Sequence, residues 1–376
     1  MPIPSPCFVL EEARLRHNLD TIARVQREAG VQIILAFKGF AMWSAFPIIR
    51  EYIHGATASS LSEARLCYEE MGAESHTYAV AYAPREFSKI LHYSSHVTFN
   101  SLAQWKRFGK KTLGYKEKVS PGIRVNPGWS PVGTALYNPA APGSRLGEPV
   151  ENFKGKLPEG IEGLHFHTLC ESSSHDLEKT LEHFENQFST FFPQLKWVNF
   201  GGGHLMTRAG YDVPHLIQVL KAFRGCWPHL KVILEPGSAF AWDTGPLVST
   251  VLDIVHNKGV KTAILDVSFT AHMPDTLEMP YRPRVRDAHE DATATKHRYR
   301  LGGVSCLSGD FLEAYAFERP LKVGQRVVFE DMMHYTMVKT STFNGVAHPS
   351  IAILRPDGRL DVVRRFGYND YKRRLS

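Results

Sequence analysis

The strongest constraint on what this chain can fold into is a repeated alternation. Short apolar runs of strand length, mostly closed by glycine, proline or asparagine, are separated by longer stretches with apolar residues at helical spacing. Runs at 7–10, 33–37, 78–80, 97–99, 122–126, 164–167, 197–200 and 232–234 read as strands. Stretches at 11–30, 48–53, 62–72 and 175–191 read as helices. The first carries Leu15, Leu19, Ile22 and Val25 on one face and stops at Gly30. Roughly eight strand–helix rounds predict an α/β fold, a (β/α)8 barrel over residues 11–243. After Thr244 the helical spacing fades. Runs at 247–255, 262–267, 298–301, 326–329 and 352–355 then predict an all-β domain of residues 244–376, completed by the strand in residues 1–10.

A barrel of this kind carries its chemistry at the C-terminal ends of its strands. Four features fall there. Lys38 follows the apolar run 33–37 and precedes Gly39. A lysine so placed loses water, its pKa falls, and it becomes an amine able to attack a carbonyl; the plain alternative is a strand-end lysine turned to solvent. His165-Phe166-His167 puts two histidines on one strand face. One of them suits stacking on a flat ring; a metal pair or simple packing are the alternatives. Asn199-Phe200-Gly201-Gly202-Gly203 lets backbone N–H groups approach an anion such as phosphate, or is a tight turn. Glu235-Pro236-Gly237 holds a carboxylate rigidly at a strand end. Together these are the parts needed to hold pyridoxal 5′-phosphate. The turn-rich segment 138–147 is a barrel loop suited to a lid or pocket wall.

Charge and cysteine content exclude several other classes. The net charge is +6, and much of it lies in Arg364-Arg365 and Lys372-Arg373-Arg374, a solvated tail rather than a nucleic-acid surface. The five cysteines are scattered without close pairs, which predicts reduced thiols in a cytoplasm and neither disulfides nor structural zinc. No apolar run reaches the ~20 residues of a membrane span, and the first ten residues lack a signal-peptide pattern.

The series Lys38, Arg124, His167, Gly201–Gly203 and Glu235, followed by 303–310 and 331–336 in the β region, resembles the alanine-racemase-like, fold-type III pyridoxal-phosphate enzymes. Within that group the chain is similar to the basic amino-acid decarboxylases, above all the carboxynorspermidine (carboxyspermidine) decarboxylases. That similarity rests on Ala36-Phe37-Lys38-Gly39, on 137–147, on Ala271-His272-Met273-Pro274-Asp275, on Glu278-Met279-Pro280-Tyr281-Arg282-Pro283 and on 306–310. The resemblance implies that Lys38 bonds the cofactor aldehyde and His167 stacks on its ring. It implies that Arg124 contributes to the cofactor site, that Gly201, Gly202, Gly203 and Tyr335 hold the phosphate, and that Glu235 pairs with the pyridine nitrogen. It also implies a homodimer in which Cys306, with Asp310 beside it, enters the neighbouring subunit's site. Two departures stand out. Ser238 replaces an arginine that grips phosphate in ornithine-type enzymes, and Thr57 stands near an aspartate of theirs.

A carboxylate at the pyridine nitrogen keeps it protonated and makes it a deep electron sink, which favours decarboxylation over racemisation. A thiol is a suitable acid for the proton that replaces CO2, and Cys306 is assigned that role. A polyamine substrate needs local carboxylates for its distal amines. Asp275 and Asp310 are the expected partners, with His272 nearby and Asp266 in reserve; Arg145 either meets the substrate carboxylate or faces water. The rival readings are a diaminopimelate- or ornithine-type decarboxylase, a pyridoxal-phosphate carrier without turnover, and a metal-dependent hydrolase built on His165 and His167.

Overall fold

The computed structural model describes residues 3–134, 137–278 and 281–376. Met279 and Pro280, which belong to one of the motifs above, lie outside the described residues, as do Met1 and Pro2 of the N-terminal strand region. The chain divides into one unit of residues 18–240 and a second of residues 1–17 with 241–376.

The first unit is a ring of parallel strands. In sheet order they are β2 (Gln32–Ile33), β10 (Lys231–Leu234), β9 (Trp197–Asn199), β8 (Gly163–His165), β7 (Ser120–Arg124), β6 (Ser94–Phe99), β5 (Ser75–Tyr78), β4 (Ala56–Ala58) and β3 (Leu35–Ala36). β2 and β3 are two halves of one strand interrupted at Ile34, so the ring closes as an eight-stranded barrel. β4 went unread because Ala56-Thr57-Ala58 has little apolar bulk; it is placed by pairing with β3 and β5. The helices are α1 (Glu12–Ala29), α2 (Phe46–Ile49), α3 (Leu61–Leu66), α4 (Pro84–His92), α5 (Leu102–Leu113), α6 (Ser174–Phe188), α7 (Val213–Cys226) and the short α8 (Ser238–Ala241). Their starts follow from local chemistry. Ser101 accepts from Gln104 N–H to begin α5, and Ser173 and Asp176 form a reciprocal cap on α6.

Inward-facing residues step by two along each strand: Gly163-His165-His167, Trp197-Asn199-Gly201, Ile233-Glu235. Near the N-terminal end of the ring, Ile34, Trp197 and Ile233 pack as one buried cluster. A Cβ on Gly122 or Gly163 would lie 2.3 or 2.1 Å from the Trp197 ring, so two glycines make room for one indole. The Trp197 Nε1–H donates to Ser120 Oγ at 2.8 Å, which satisfies the polar edge of that ring. With the lower barrel filled by large side chains, polar groups collect at the upper mouth.

The second unit is a nine-stranded mixed sheet. Its order is β13 (Ala288–His289), β15 (Phe311–Phe317), β14 (His297–Gly302), β12 (Val260–Leu265), β11 (Leu247–Asn257), β1 (Cys7–Glu11), β17 (Ser350–Leu354) and β18 (Leu360–Arg364), with β16 (Arg326–Phe329) also on β11. β1 runs parallel to β17 and antiparallel to β11, which draws the first strand of the chain into this sheet. Short helices α9 (Phe269–His272) and α10 (Asp275–Glu278) and the terminal α11 (Tyr368–Leu375) complete the unit. Among the described residues no helix is long and apolar enough to cross a membrane.

Candidate active site

Lys38, Arg124, His165, His167, Asn199, the glycine turn and Glu235 all stand at the C-terminal ends of barrel strands. Gly39 makes this possible for the first of them. A Cβ there would come within 2.8 Å of the Gly237 backbone, so the Lys38 and Glu235 turns lie against each other. Register aligns the rest: Arg124 pairs with His165, and His165 with Asn199.

His167 is held from both sides. Gly202 N–H donates to Nδ1 at 2.8 Å, and Nε2 lies 3.0 Å from Lys38 Nζ. A backbone amide can only donate, so Nδ1 must carry a lone pair and the neutral ring keeps its proton on Nε2. That proton faces Lys38, whose amine is then the acceptor, which requires it to be uncharged. The electrostatics agree. Burial is the main cause lowering the Lys38 pKa, opposed by Glu235 and reinforced by Arg124, and burial keeps His167 far below the usual imidazole range. An uncharged lysine that still opens onto the barrel mouth is a competent nucleophile.

Glu235 is fastened by two donors. His165 Nε2 lies 3.0 Å from Oε1, and Asn199 Nδ2 donates to Oε2 at 3.0 Å. Burial pushes this carboxyl up, but the hydrogen bonds from His165 and Asn199 outweigh it and hold it well below the ordinary range. Arg124 is buried, donates from Nη2 to the His167 carbonyl at 2.9 Å and lies over the Tyr78 ring at 4.8 Å. Its Nε is buried and unpartnered among the described residues.

The glycine turn differs in part from the anion cradle expected. Gly201 N–H donates to Asn199 Oδ1 at 2.8 Å and Gly202 N–H goes to His167, so these two amides shape the turn and orient the ring. The glycines remain obligatory. Gly201 and Gly203 have φ of +69° and +88°, and Cβ atoms at 201, 202 and 203 would lie 2.4, 2.6 and 2.2 Å from backbone oxygens. The turn after 137 is tied down by Asn100, whose Nδ2 donates to Arg145 O and whose Oδ1 accepts from Gly147 N–H, each at 2.9 Å. The Arg145 side chain itself is exposed.

In the sheet unit the expected residues form two groups. Asp310 is buried and organises the turn before it: Oδ2 accepts from Ser305 N–H and Oγ–H, and Oδ1 from Thr270 N–H. Its carboxylate lies where a Cβ on Gly303 would sit, which explains that glycine. Cys306, on the same turn, is exposed, whereas burial pushes the Cys7 and Cys67 thiols up to about 12. Asp275 accepts from Thr336 Oγ1–H at 2.7 Å and Tyr281 O–H at 3.1 Å, both on Oδ2. Its Oδ1 is buried without a partner among the described residues. His272 is fully buried and accepts from Ser268 N–H; Tyr335 sits at φ +46° and is partly exposed. Asp266 accepts from Thr250 N–H across from β11, a structural contact between neighbouring strands.

His165 and His167 do not form a metal pair, because His165 Nε2 faces Glu235 and both nitrogens of His167 are engaged. Among the described residues, the one group of three His or carboxylate side chains close enough to share a cation is His175, Glu178 and His215, in the first turns of α6 and α7. Sequence reasoning missed Asn199 and His165 as the supports of Glu235. Both occupy inward positions in register with Arg124, which only the paired strands reveal.

A desolvated lysine, a tautomer-fixed histidine and an anchored carboxylate meet at one mouth of the barrel, which is the group of side chains a carbonyl-bearing cofactor needs. The buried, unpartnered Arg124 Nε beside the carboxylate-anchoring pair fits a cofactor with an anionic end. A family model described as "Pyridoxal-dependent decarboxylase, C-terminal sheet domain" matches residues 67–333. The chain is 53% identical over its whole length to the carboxyaminopropylagmatine decarboxylase of Synechocystis sp., covering 96% of that protein. It is 43% identical over 99% of its length to the carboxynorspermidine/carboxyspermidine decarboxylase of Campylobacter jejuni, covering 98% of it. The crystal structure of carboxynorspermidine decarboxylase from C. jejuni, complexed with norspermidine, superposes with a TM-score of 0.91 at 42% identity, covering 99% of this chain and 100% of that one. Diaminopimelate decarboxylase from Helicobacter pylori shares the fold, with a TM-score of 0.83 at 17% identity over 98% and 96% of the two chains. The chain belongs to the pyridoxal-dependent decarboxylases. It is therefore an enzyme of fold-type III, and neither the carrier nor the hydrolase reading stands.

Proposed function

We propose that the chain decarboxylates carboxynorspermidine or carboxyspermidine to norspermidine or spermidine. The observation that carries this is the barrel-mouth set of Lys38, His167 and Glu235 in a chain that aligns end to end with enzymes named for these substrates. In this reading Lys38 anchors pyridoxal phosphate, His167 lies against its ring, Glu235 meets the ring nitrogen, and Arg124, the glycine turn and Tyr335 serve its polar substituents. The bound cofactor supplies the electron sink that accepts the electron pair left by departing CO2. Cys306 delivers the replacing proton from a partner subunit in a cytoplasmic homodimer. The free Oδ1 of Asp275 receives a distal ammonium, while Asp310 keeps the Cys306 turn in shape with His272 packed behind it. The barrel domain is taken as residues 11–243 and the sheet domain as 244–376 with 1–10.

A second reading is favoured by the 53% identity to the Synechocystis enzyme: the substrate would carry a guanidinium at its far end. The carboxylated head is common to both readings. Measuring kcat/KM for CO2 release from carboxynorspermidine, carboxyspermidine, carboxyaminopropylagmatine, diaminopimelate and ornithine tests them. The first reading expects one of the first two to exceed all others. A lead for carboxyaminopropylagmatine selects the second, and a lead for diaminopimelate or ornithine overturns both.

A further inference from the structure

Glu235 is useful to a protonated ring nitrogen only if it carries a full negative charge, yet it is nine-tenths buried. Its two anchors decide the matter. Asn199 is a neutral donor. His165 is buried, with Nε2 at 3.0 Å from Glu235 Oε1, and its Nδ1 is buried without a partner among the described residues. A doubly protonated ring would leave an Nδ1–H with no acceptor in a low-dielectric site, which such a site penalises. A singly protonated ring with its proton on Nε2 leaves only an unshared lone pair there. It donates to Glu235 without neutralising it.

We infer that His165 is a positioning residue of the reaction: as a neutral Nε2–H donor it fixes Glu235 in place while leaving its charge uncompensated for the cofactor. The inference rests on the proposed pairing of Glu235 with the ring nitrogen. The surroundings support it. Burial is the largest influence against a second positive charge on His165, and the Arg124 guanidinium adds to it while Glu235 opposes both. Tyr78 packs edge-on against the His165 ring at 5.5 Å, and buried His76 and His204 add no negative charge. Had the pair been an imidazolium–carboxylate bridge, its net charge would be zero and the pull on a ring-nitrogen proton largely lost.

The test uses the full-length holoenzyme with His165→Gln, which keeps an N–H near the Nε2 position, and His165→Met, which fills the space without a donor. Each is made alone and with Glu235→Gln. The readouts are the visible absorbance from pH 6 to 9, the Kd for pyridoxal phosphate, and kcat and KM. His165→Met should lower kcat by about tenfold or more with little change in KM, and bring a pH-dependent change of the visible band into that range. His165→Gln should retain most of both properties. In the Glu235→Gln background His165→Met should add less than about twofold, because the two act as one unit. The inference is overturned if His165→Met matches wild type in spectrum and kcat, if its loss multiplies with that of Glu235→Gln, or if folded His165→Gln fails as badly as His165→Met. If His165→Met does not fold, Asn199→Ala removes the other donor and is read by the same criteria. A Glu235→Gln enzyme identical to wild type overturns the site reading itself; an altered Glu235→Gln beside an unaltered His165→Met overturns only the role of His165.

Discussion

Single atoms decide most of this site. The Gly202 amide sets which nitrogen of His167 is protonated, and that choice makes Lys38 an acceptor. Gly202→Ala would place a Cβ 2.6 Å from the Glu235 carbonyl and 3.2 Å from His167 Cε1. Such overpacking costs about 1–3 kcal/mol. We expect weakened pyridoxal-phosphate affinity together with a lower melting temperature, measured by titration and calorimetry; unchanged affinity would contradict the role given to the turn. Cys306→Ala should slow product formation while leaving the cofactor's visible band intact, because an exposed thiol on the sheet unit has no part in holding the cofactor. A lost band would contradict that assignment. At this scale the sequence was legible wherever a residue type is chemically distinctive: Lys38, His167, Glu235. It was not legible for Asn199 and His165, whose importance comes from strand register, a property of paired strands rather than of one segment.

Elements were read in proportion to how much of their apolar pattern is local. α1 and the apolar strands β7 and β10 announce themselves. β4, with only Ala-Thr-Ala, exists because its neighbours offer it partners, and β15 and β18, whose charged residues break the apolar pattern, are held by pairing with the strands just before them. The glycine turn shows a subtler gap: three glycines implied close backbone approach, but not that two amides would serve Asn199 and His167. The barrel ring itself depends on Trp197 seated on Gly122 and Gly163. Trp197→Ala removes a large buried side chain, a change that typically costs about 3–5 kcal/mol. Chemical denaturation should show a loss of that size; a loss under 1 kcal/mol would mean the lower barrel is not held by this indole.

For the whole molecule, buried neutral histidines set the response to acid. Burial lowers the pKa of His204 in the barrel unit and of His272 in the sheet unit to about 4. In the unfolded chain a histidine titrates near 6.5. As pH falls, the unfolded chain binds these protons first, so stability is complete above about 6.5 and declines toward 4. Each should contribute a loss of about 2 kcal/mol by pH 5. The urea midpoint should therefore drop clearly between pH 7 and pH 5, in both units; a midpoint that rises or stays flat would contradict the neutral burial of these rings.

The proposed chemistry requires Lys38 to be the attachment point of the cofactor. Borohydride reduction of the holoenzyme, proteolysis and mass mapping test it directly. The predicted result is a pyridoxyl group on the peptide bearing Lys38, absent from a Lys38→Ala chain. A label on any other lysine, or a Lys38→Ala chain that keeps the visible cofactor band, would contradict it.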